Sequence, residues 1–96
     1  MATAALSKRE IRERMAQLRA LMCEWDPIGV MSDPDWPRDE YDCLVAPLLT
    51  LLAQGATEDE IAAYLRKEIT EHFGLSPDHY DFATVAERVR RWFDHA

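Results

Sequence analysis

Long apolar runs are absent from this sequence, and cysteine is scarce. No stretch reaches about 18 apolar residues, and the first 23 residues lack an apolar segment behind a basic start, so neither a membrane span nor a signal peptide is expected. Two cysteines, Cys23 and Cys43, are too few for a disulfide framework. We therefore expect one cytoplasmic domain of 96 residues with reduced thiols.

Basic residues are also in short supply. The chain has 11 Lys and Arg against 18 Asp and Glu, a formal charge of -7, which argues against a nucleic-acid partner. The distribution is uneven, because residues 1–23 hold five basic and two acidic side chains, whereas residues 24–42 hold one basic and seven acidic. The acidity therefore peaks just after the first predicted helix.

Patterns typical of catalytic sites are missing too. There is no Gly-rich phosphate loop, none of the serines lies in a nucleophile elbow, and no base is placed beside Cys23. A calcium loop beginning at Asp33 would put Arg38 where glycine is needed and Leu44 where the closing glutamate belongs. We expect a non-enzymatic protein without a metal or cofactor.

No stretch has the period-two alternation of a strand, whereas apolar spacing predicts an all-α domain of four helices. Helix 1 runs from a Ser7/Glu10 capping box to Asp26-Pro27, helix 2 from near Asp35–Asp39 to Gln54 and Gly55, helix 3 from a Thr57/Glu60 capping box to Gly74, and helix 4 from Asp81. Pro47 is expected to kink helix 2 without ending it. Short connections favour a compact four-helix packing, with residues 1–6 disordered.

Each predicted helix has one apolar stripe. The stripes consist of Ile11, Met15, Leu18, Met22 and Trp25; Tyr41, Leu44, Val45, Leu48 and Leu52; Ile61, Leu65 and Ile69; and Phe82, Val85, Ala86, Val89, Trp92 and Phe93, with Arg88, Arg90 and Arg91 facing out. His72 follows Glu68 by one turn, so we expect that pair at the edge of the core.

Thirteen residues, Asp26 to Arg38, connect helices 1 and 2 and include three prolines. Connections this long are usually functional or disordered. The prolines and several apolar residues favour an ordered, packed loop. We predict that a structural set holds the loop, namely Trp25, Asp26, Pro27, Gly29, Tyr41 and Asp42.

The second half of the loop is less well explained by folding. Its candidate partner-binding residues are Asp33, Asp35, Trp36, Asp39 and Glu40. Trp36 lies between two prolines with no stripe to join, so packing over the bundle end and anchoring a partner stay open. Asp39, Glu40 and Asp42 have an alternative duty, because anions in a first turn interact favourably with the helix dipole.

The residues W-D-P-I-G-V at 25–30, D-E-Y-D at 39–42, Leu48-Leu49, Gly55-Ala56 and Gly74-Leu75 carry a family resemblance. Over residues 20 to 75 the chain resembles the YugE-like family of small bacterial helical proteins of uncharacterised function. Similar small bacterial domains look like immunity proteins of polymorphic toxin systems. The resemblance does not cover helix 4 and implies no catalytic residues.

Two functions fit these observations. The first is an acidic cytoplasmic binding protein whose loop 31–42 docks on a basic protein surface, a toxin being the candidate that the resemblance suggests. The second is a structural or regulatory domain in which the two motifs only stabilise the fold. A homodimer stays open, and no membrane or nucleic-acid partner is expected.

Overall fold

The computed structural model describes residues 7–27, 29, 31–37 and 39–95, which contain four α-helices and no β-strand. The helices are α1 (Lys8–Trp25), α2 (Asp42–Ala53), α3 (Glu58–Lys67) and α4 (Phe82–His95). The predicted all-α four-helix fold is confirmed. Residues 1–6, predicted to be disordered, lie outside the described part of the chain.

Side-chain caps start three of these helices, as predicted. The hydroxyl of Ser7 accepts the amide of Glu10 (3.2 Å), and Thr57 with Glu60 forms both bonds of a capping box. At α4 the Asp81 carboxylate accepts the amide (3.1 Å) and the hydroxyl (2.7 Å) of Thr84. These bonds satisfy amides that have no partner inside the helix, so local sequence fixes where the helices begin.

The predicted start of α2 is wrong. The helix begins at Asp42 rather than near Asp35–Asp39, because Tyr41 (φ -99°, ψ 9°) departs from helical geometry and residues 39–41 form a turn. Asp42 is therefore the acidic residue in the first turn, whereas Asp39 and Glu40 precede it. The helix-dipole explanation predicted for all three carboxylates holds only for Asp42.

Pro47 lies inside α2, and the helix continues past it to Ala53, as expected. A kink at this proline stays a prediction. The helix ends in a left-handed Gly55 (φ 82°). The amide of Ala56 donates to the carbonyl of Leu51 (3.0 Å), and the amide of Gly55 donates to the carbonyl of Leu52 (3.1 Å). This is a Schellman ending, which glycine favours because it has no Cβ.

α3 does not run to Phe73 as a regular helix. It continues from Lys67 into a π-helical turn, Glu68–His72, and a left-handed Gly74 (φ 67°) follows. The Thr70 hydroxyl donates to the carbonyls of Arg66 (2.9 Å) and Lys67 (3.1 Å) in this stretch. Phe73 directly follows this turn, and its ring packs edge-on against Tyr41, with the two ring centroids 6.0 Å apart.

The four predicted stripes meet in one core, in which α1 packs mainly on α2 and α3 mainly on α4. Its buried members are Leu18, Met22, Tyr41, Leu44, Val45, Leu48, Leu49, Leu52, Ala56, Ile61, Leu65, Ile69, Phe82, Ala86 and Val89. Each fully buried large side chain contributes about 1.5–3 kcal/mol relative to an exposed one.

Two residues do not lie where their spacing predicted. Ile11 is 37% exposed. Arg14, one turn later in α1, already lies opposite Phe93 near the end of α4, so Ile11 lies close to where α4 ends. Arg90, predicted to face out, is directed inward and donates to the carbonyls of Leu52 and Ala56 (3.1 Å each). It supplies donors for carbonyls at the end of α2.

Candidate functional site

The loop between α1 and α2 is closed by a contact between its two ends. The Tyr41 hydroxyl donates to Oδ1 of Asp26 (2.6 Å), and the amide of Met31 donates to Oδ2 of the same carboxylate (3.1 Å). We call this pair of bonds the Asp26 clasp. Asp26 and Tyr41 are 15 positions apart. The clasp therefore closes a surface loop with adjacent ends, in the manner of an Ω-loop.

Asp26 can take part because of its backbone conformation. It caps α1 in the left-handed region (φ 48°), with its amide on the carbonyl of Met22 (2.9 Å) and its carbonyl accepting the amide of Gly29 (3.0 Å). Aspartate tolerates this region better than most residues. The chain leaves the helix sharply, and the carboxylate lies beside Met31 and Tyr41.

Aromatic side chains hold the start of the loop. Trp25 packs edge-on against Tyr80 and Phe82, with centroids 6.2 and 6.1 Å apart. The Tyr80 hydroxyl donates to the carbonyl of buried Pro27 (2.7 Å), which ties the loop to the segment before α4. Such aromatic pairs add about 0.5–1.5 kcal/mol beyond their buried area.

An ion pair holds the other end of the loop to α1. Nε and Nη2 of Arg19 donate to the two carboxylate oxygens of Asp42 at 2.7 Å each. The hydrogen bond and the charge of Asp42 raise the pKa of Arg19. The pair is exposed, so its energy is small, but the two-pronged geometry fixes the direction in which α2 begins.

The predicted partner-binding residues lie beyond the clasp, and we call them the acidic patch: Asp33, Asp35, Trp36, Asp39 and Glu40. All are exposed except Glu40, which is half-buried. A turn joins three of them, because Asp33 accepts the amide of Asp35 at Oδ1 (2.9 Å) and that of Trp36 at its carbonyl (3.1 Å). The described residues 32–37 lie in solvent, whereas Met31 packs on the core.

Trp36 has a defined orientation although its side chain is exposed. Its indole Nε1 donates to Oε2 of Glu40 (3.2 Å), and 38% of the residue is accessible. The polar edge of the ring therefore has a hydrogen-bond partner, although the residue is exposed. The structure thus presents an aromatic surface among carboxylates.

Two contacts of the site were not predicted. Tyr80 lies between helices without a stripe to join, and Arg19 is one of several basic residues on the polar face of α1. Both act across 23 or more positions of sequence. The one available signal for Arg19 was the basic character of residues 1–23 beside the acidic segment.

Other reactive side chains lie away from the clasp. Cys23 and Cys43 are thiols, and burial together with the charge of Glu68 raises the pKa of Cys43, which disfavours its thiolate. His72 Nδ1 lies 3.9 Å from Oε2 of Glu68, as its spacing predicted. Within the described ranges, no group of three or more His, Cys, Asp or Glu side chains is placed to hold a metal ion.

Comparisons with protein-family models, with curated proteins and with solved structures found no match to this chain. Among the helices that the structure describes, none is both long and apolar enough to cross a membrane.

Proposed function

We propose that this chain is a non-enzymatic protein-binding domain whose acidic patch docks on a basic surface of a partner protein. The observation that supports this is Trp36, a large apolar side chain left 38% exposed and oriented by Glu40 rather than packed on the core. Tryptophan is among the residues that most often dominate binding energy. Folding alone does not explain its position.

The chemistry of the patch suits lysine and arginine side chains. Carboxylates at Asp35 and Asp39 are exposed on a chain of formal charge -7, and such a field speeds the approach of a basic partner. A guanidinium or ammonium group over the Trp36 ring would gain a cation–π interaction of about 0.5–2 kcal/mol. Charge would therefore steer the encounter, and the indole would retain the partner.

The resemblance carried by W-D-P-I-G-V and D-E-Y-D supports a narrower proposal. An immunity protein neutralises a toxin by occupying its surface, and a toxin that acts on nucleic acid presents a basic surface of the required kind. We propose such a toxin, met in the bacterial cytoplasm, as the candidate partner.

A second candidate function is supported by different residues. Asp26, Tyr41 and Asp42 make contacts that hold the loop and the start of α2, which fits a structural or regulatory domain in which the motifs only stabilise the fold. The two functions differ in what the acidic patch does. In the first it binds a partner, and in the second it is a solvated surface.

Affinity capture with quantitative mass spectrometry distinguishes them. The wild-type chain, immobilised in a lysate of the organism that encodes it, should retain a basic protein that Trp36→Ala and Asp35→Lys lose by at least about tenfold. Ile11→Ala is the control for the tryptophan, since Ile11 is 37% exposed outside the patch. Glu71→Lys is the control for the charge, since Glu71 is an exposed acid in the π-helical turn.

The controls should retain the partner as the wild type does. Equal loss with Glu71→Lys would mean that net charge alone drives capture, which contradicts a defined patch. Recovery of no partner, or of one indifferent to Trp36→Ala, favours the structural function.

A further inference from the structure

We infer that Asp26 and Tyr41 are positioning residues for the acidic patch: the clasp holds the loop in the one arrangement that presents Trp36 and its carboxylates together. The inference rests on the proposed function for its binding role. It has two halves: a structural half, in which the clasp orders the patch, and a binding half, in which that order strengthens binding. The structural half can be tested without any partner.

The clasp closes the loop. The patch lies in the loop between Asp26 and Tyr41, and one carboxylate bonds both the far end, through the Tyr41 hydroxyl, and the amide of Met31. Without these bonds the intervening residues regain conformations that closure removes. A partner would then have to order the loop on binding, and affinity falls by that cost.

The clasp can be opened without disrupting the core. The Tyr41 ring is fully buried and packs against Phe73, so Tyr41→Phe removes the hydroxyl and leaves the ring in place. Asp26 caps α1 through its backbone, independently of the carboxylate that holds the loop. The two functions of each residue are therefore separable by conservative substitution.

Few residues separate the clasp from the indole of Trp36. Glu40, which accepts from Trp36 Nε1, directly precedes Tyr41 in the chain. On the other side, Met31 is two positions before Asp33, whose carboxylate and carbonyl shape the turn that carries Trp36. The Asp26 carboxylate thus bonds a residue on each side of the acidic patch, Met31 before it and Tyr41 after it.

Hydrogen exchange resolved by NMR tests the structural half. In Tyr41→Phe the Met31 amide and the Trp36 indole N–H should exchange about tenfold faster than in the wild type, the change expected for losing one hydrogen bond to a charged group. Tyr64→Phe is the matched control, because the Tyr64 hydroxyl donates to the carbonyl of Leu44 (3.4 Å) outside the loop. It should leave both exchange rates unchanged.

Unchanged exchange in Tyr41→Phe would overturn the inference. Faster exchange at every amide of α2 and α3 would also overturn it, because the substitution would then have loosened the whole domain. Asp26→Asn, which keeps the tolerance for left-handed backbone, should reproduce the Tyr41→Phe pattern.

Fluorescence polarisation with a fluorescein-labelled octa-arginine peptide tests the binding half. Tyr41→Phe should raise the dissociation constant about tenfold, and Tyr64→Phe should leave it unchanged. Equal affinity of wild type and Tyr41→Phe would overturn the positioning role. If the wild type does not bind the peptide, or binds it with the same dissociation constant as Trp36→Ala, the proposed function fails and the binding role of the clasp fails with it. The exchange measurement still decides whether the clasp orders the patch.

Discussion

The chain connects its helices in two contrasting ways. Between α2 and α3 the connection is short, and its residues serve the fold: Gly55 ends one helix and Thr57 caps the next. Arg90 on α4 donates to two carbonyls at this connection, those of Leu52 and Ala56. Between α1 and α2 the loop is long, and the clasp uses only its two ends and Met31. Residues 32–37, which follow Met31, lie in solvent, and Trp36 is 38% exposed.

Under the proposed function, this difference separates residues that serve the fold from residues that bind a partner. A connection that only joins two helices needs a few residues and local caps, as α2 to α3 shows. The α1–α2 loop holds additional polar and aromatic groups that contact one another rather than the core. Substitutions in the short connection should therefore lower stability, and substitutions in the acidic patch should alter binding.

The largest effect is expected at Arg90. Arg90→Ala leaves the carbonyls of Leu52 and Ala56 without this donor in a partly buried place, and should lower the free energy of unfolding by about 2–3 kcal/mol. Urea denaturation followed by circular dichroism measures the change. Arg91→Ala, at a side chain that is 69% exposed, should stay within about 0.5 kcal/mol of wild type, and equal losses in both variants would contradict the capping role.

Glycine substitutions compare the two connections directly. Gly55 and Gly29 both have positive φ (82° and 71°), and an added Cβ meets no atom within 4 Å at either, so the cost is backbone strain alone. Gly55→Ala should lower the free energy of unfolding by about 1 kcal/mol. Gly29→Ala should lower it less, because the exposed loop can adjust. Equal thermal-denaturation midpoints for the two variants would remove this distinction.

Acid should destabilise α4 through two carboxylates. Hydrogen bonds from Thr84 lower the pKa of Asp81, and the bond from Arg90 lowers that of Asp94. A folded-state pKa below the unfolded value of 3.8 means that the ionised carboxylate stabilises the fold above that pH, and the contribution is lost as pH falls through the folded pKa. Asp94→Asn should therefore weaken the dependence of the melting temperature on pH between about pH 5 and 2. A curve parallel to wild type would contradict this.

The smallest change in stability is expected at Trp36. Because the indole is exposed and its one described hydrogen bond is to Glu40, Trp36→Ala should change the free energy of unfolding by less than about 0.5 kcal/mol. Chemical denaturation measures it. A loss of 2 kcal/mol or more, on the order of a buried aromatic, would mean that the ring belongs to the core.

Features encoded by neighbouring residues were predicted well. The caps at Ser7, Thr57 and Asp81 and the ending at Gly55 depend on groups within a few positions, so spacing alone identifies them. The apolar stripes were also correct for most members, since the period of a helix fixes which residues share a face.

Features that depend on distant groups were not predicted. α2 starts directly after Tyr41, whose hydroxyl donates to Asp26 at the end of α1, and Arg90 on α4 donates to the carbonyl of Leu52 on α2. The π-helical turn at Glu68–His72 leaves no trace in apolar spacing that is three or four residues long. Sequence patterns separated the loop into two sets of residues and predicted that one set holds the loop, but they did not identify which atoms of that set bond to one another.

The most direct test measures both properties of Trp36→Ala in parallel, with the partner recovered by affinity capture. Isothermal titration calorimetry gives the dissociation constant, and urea denaturation gives the free energy of unfolding. A patch that binds but does not support the fold predicts affinity at least about tenfold weaker at unchanged stability. Unchanged affinity, or a loss of stability large enough to explain weaker binding, would contradict the separation of the loop into a clasp that folds and a patch that binds.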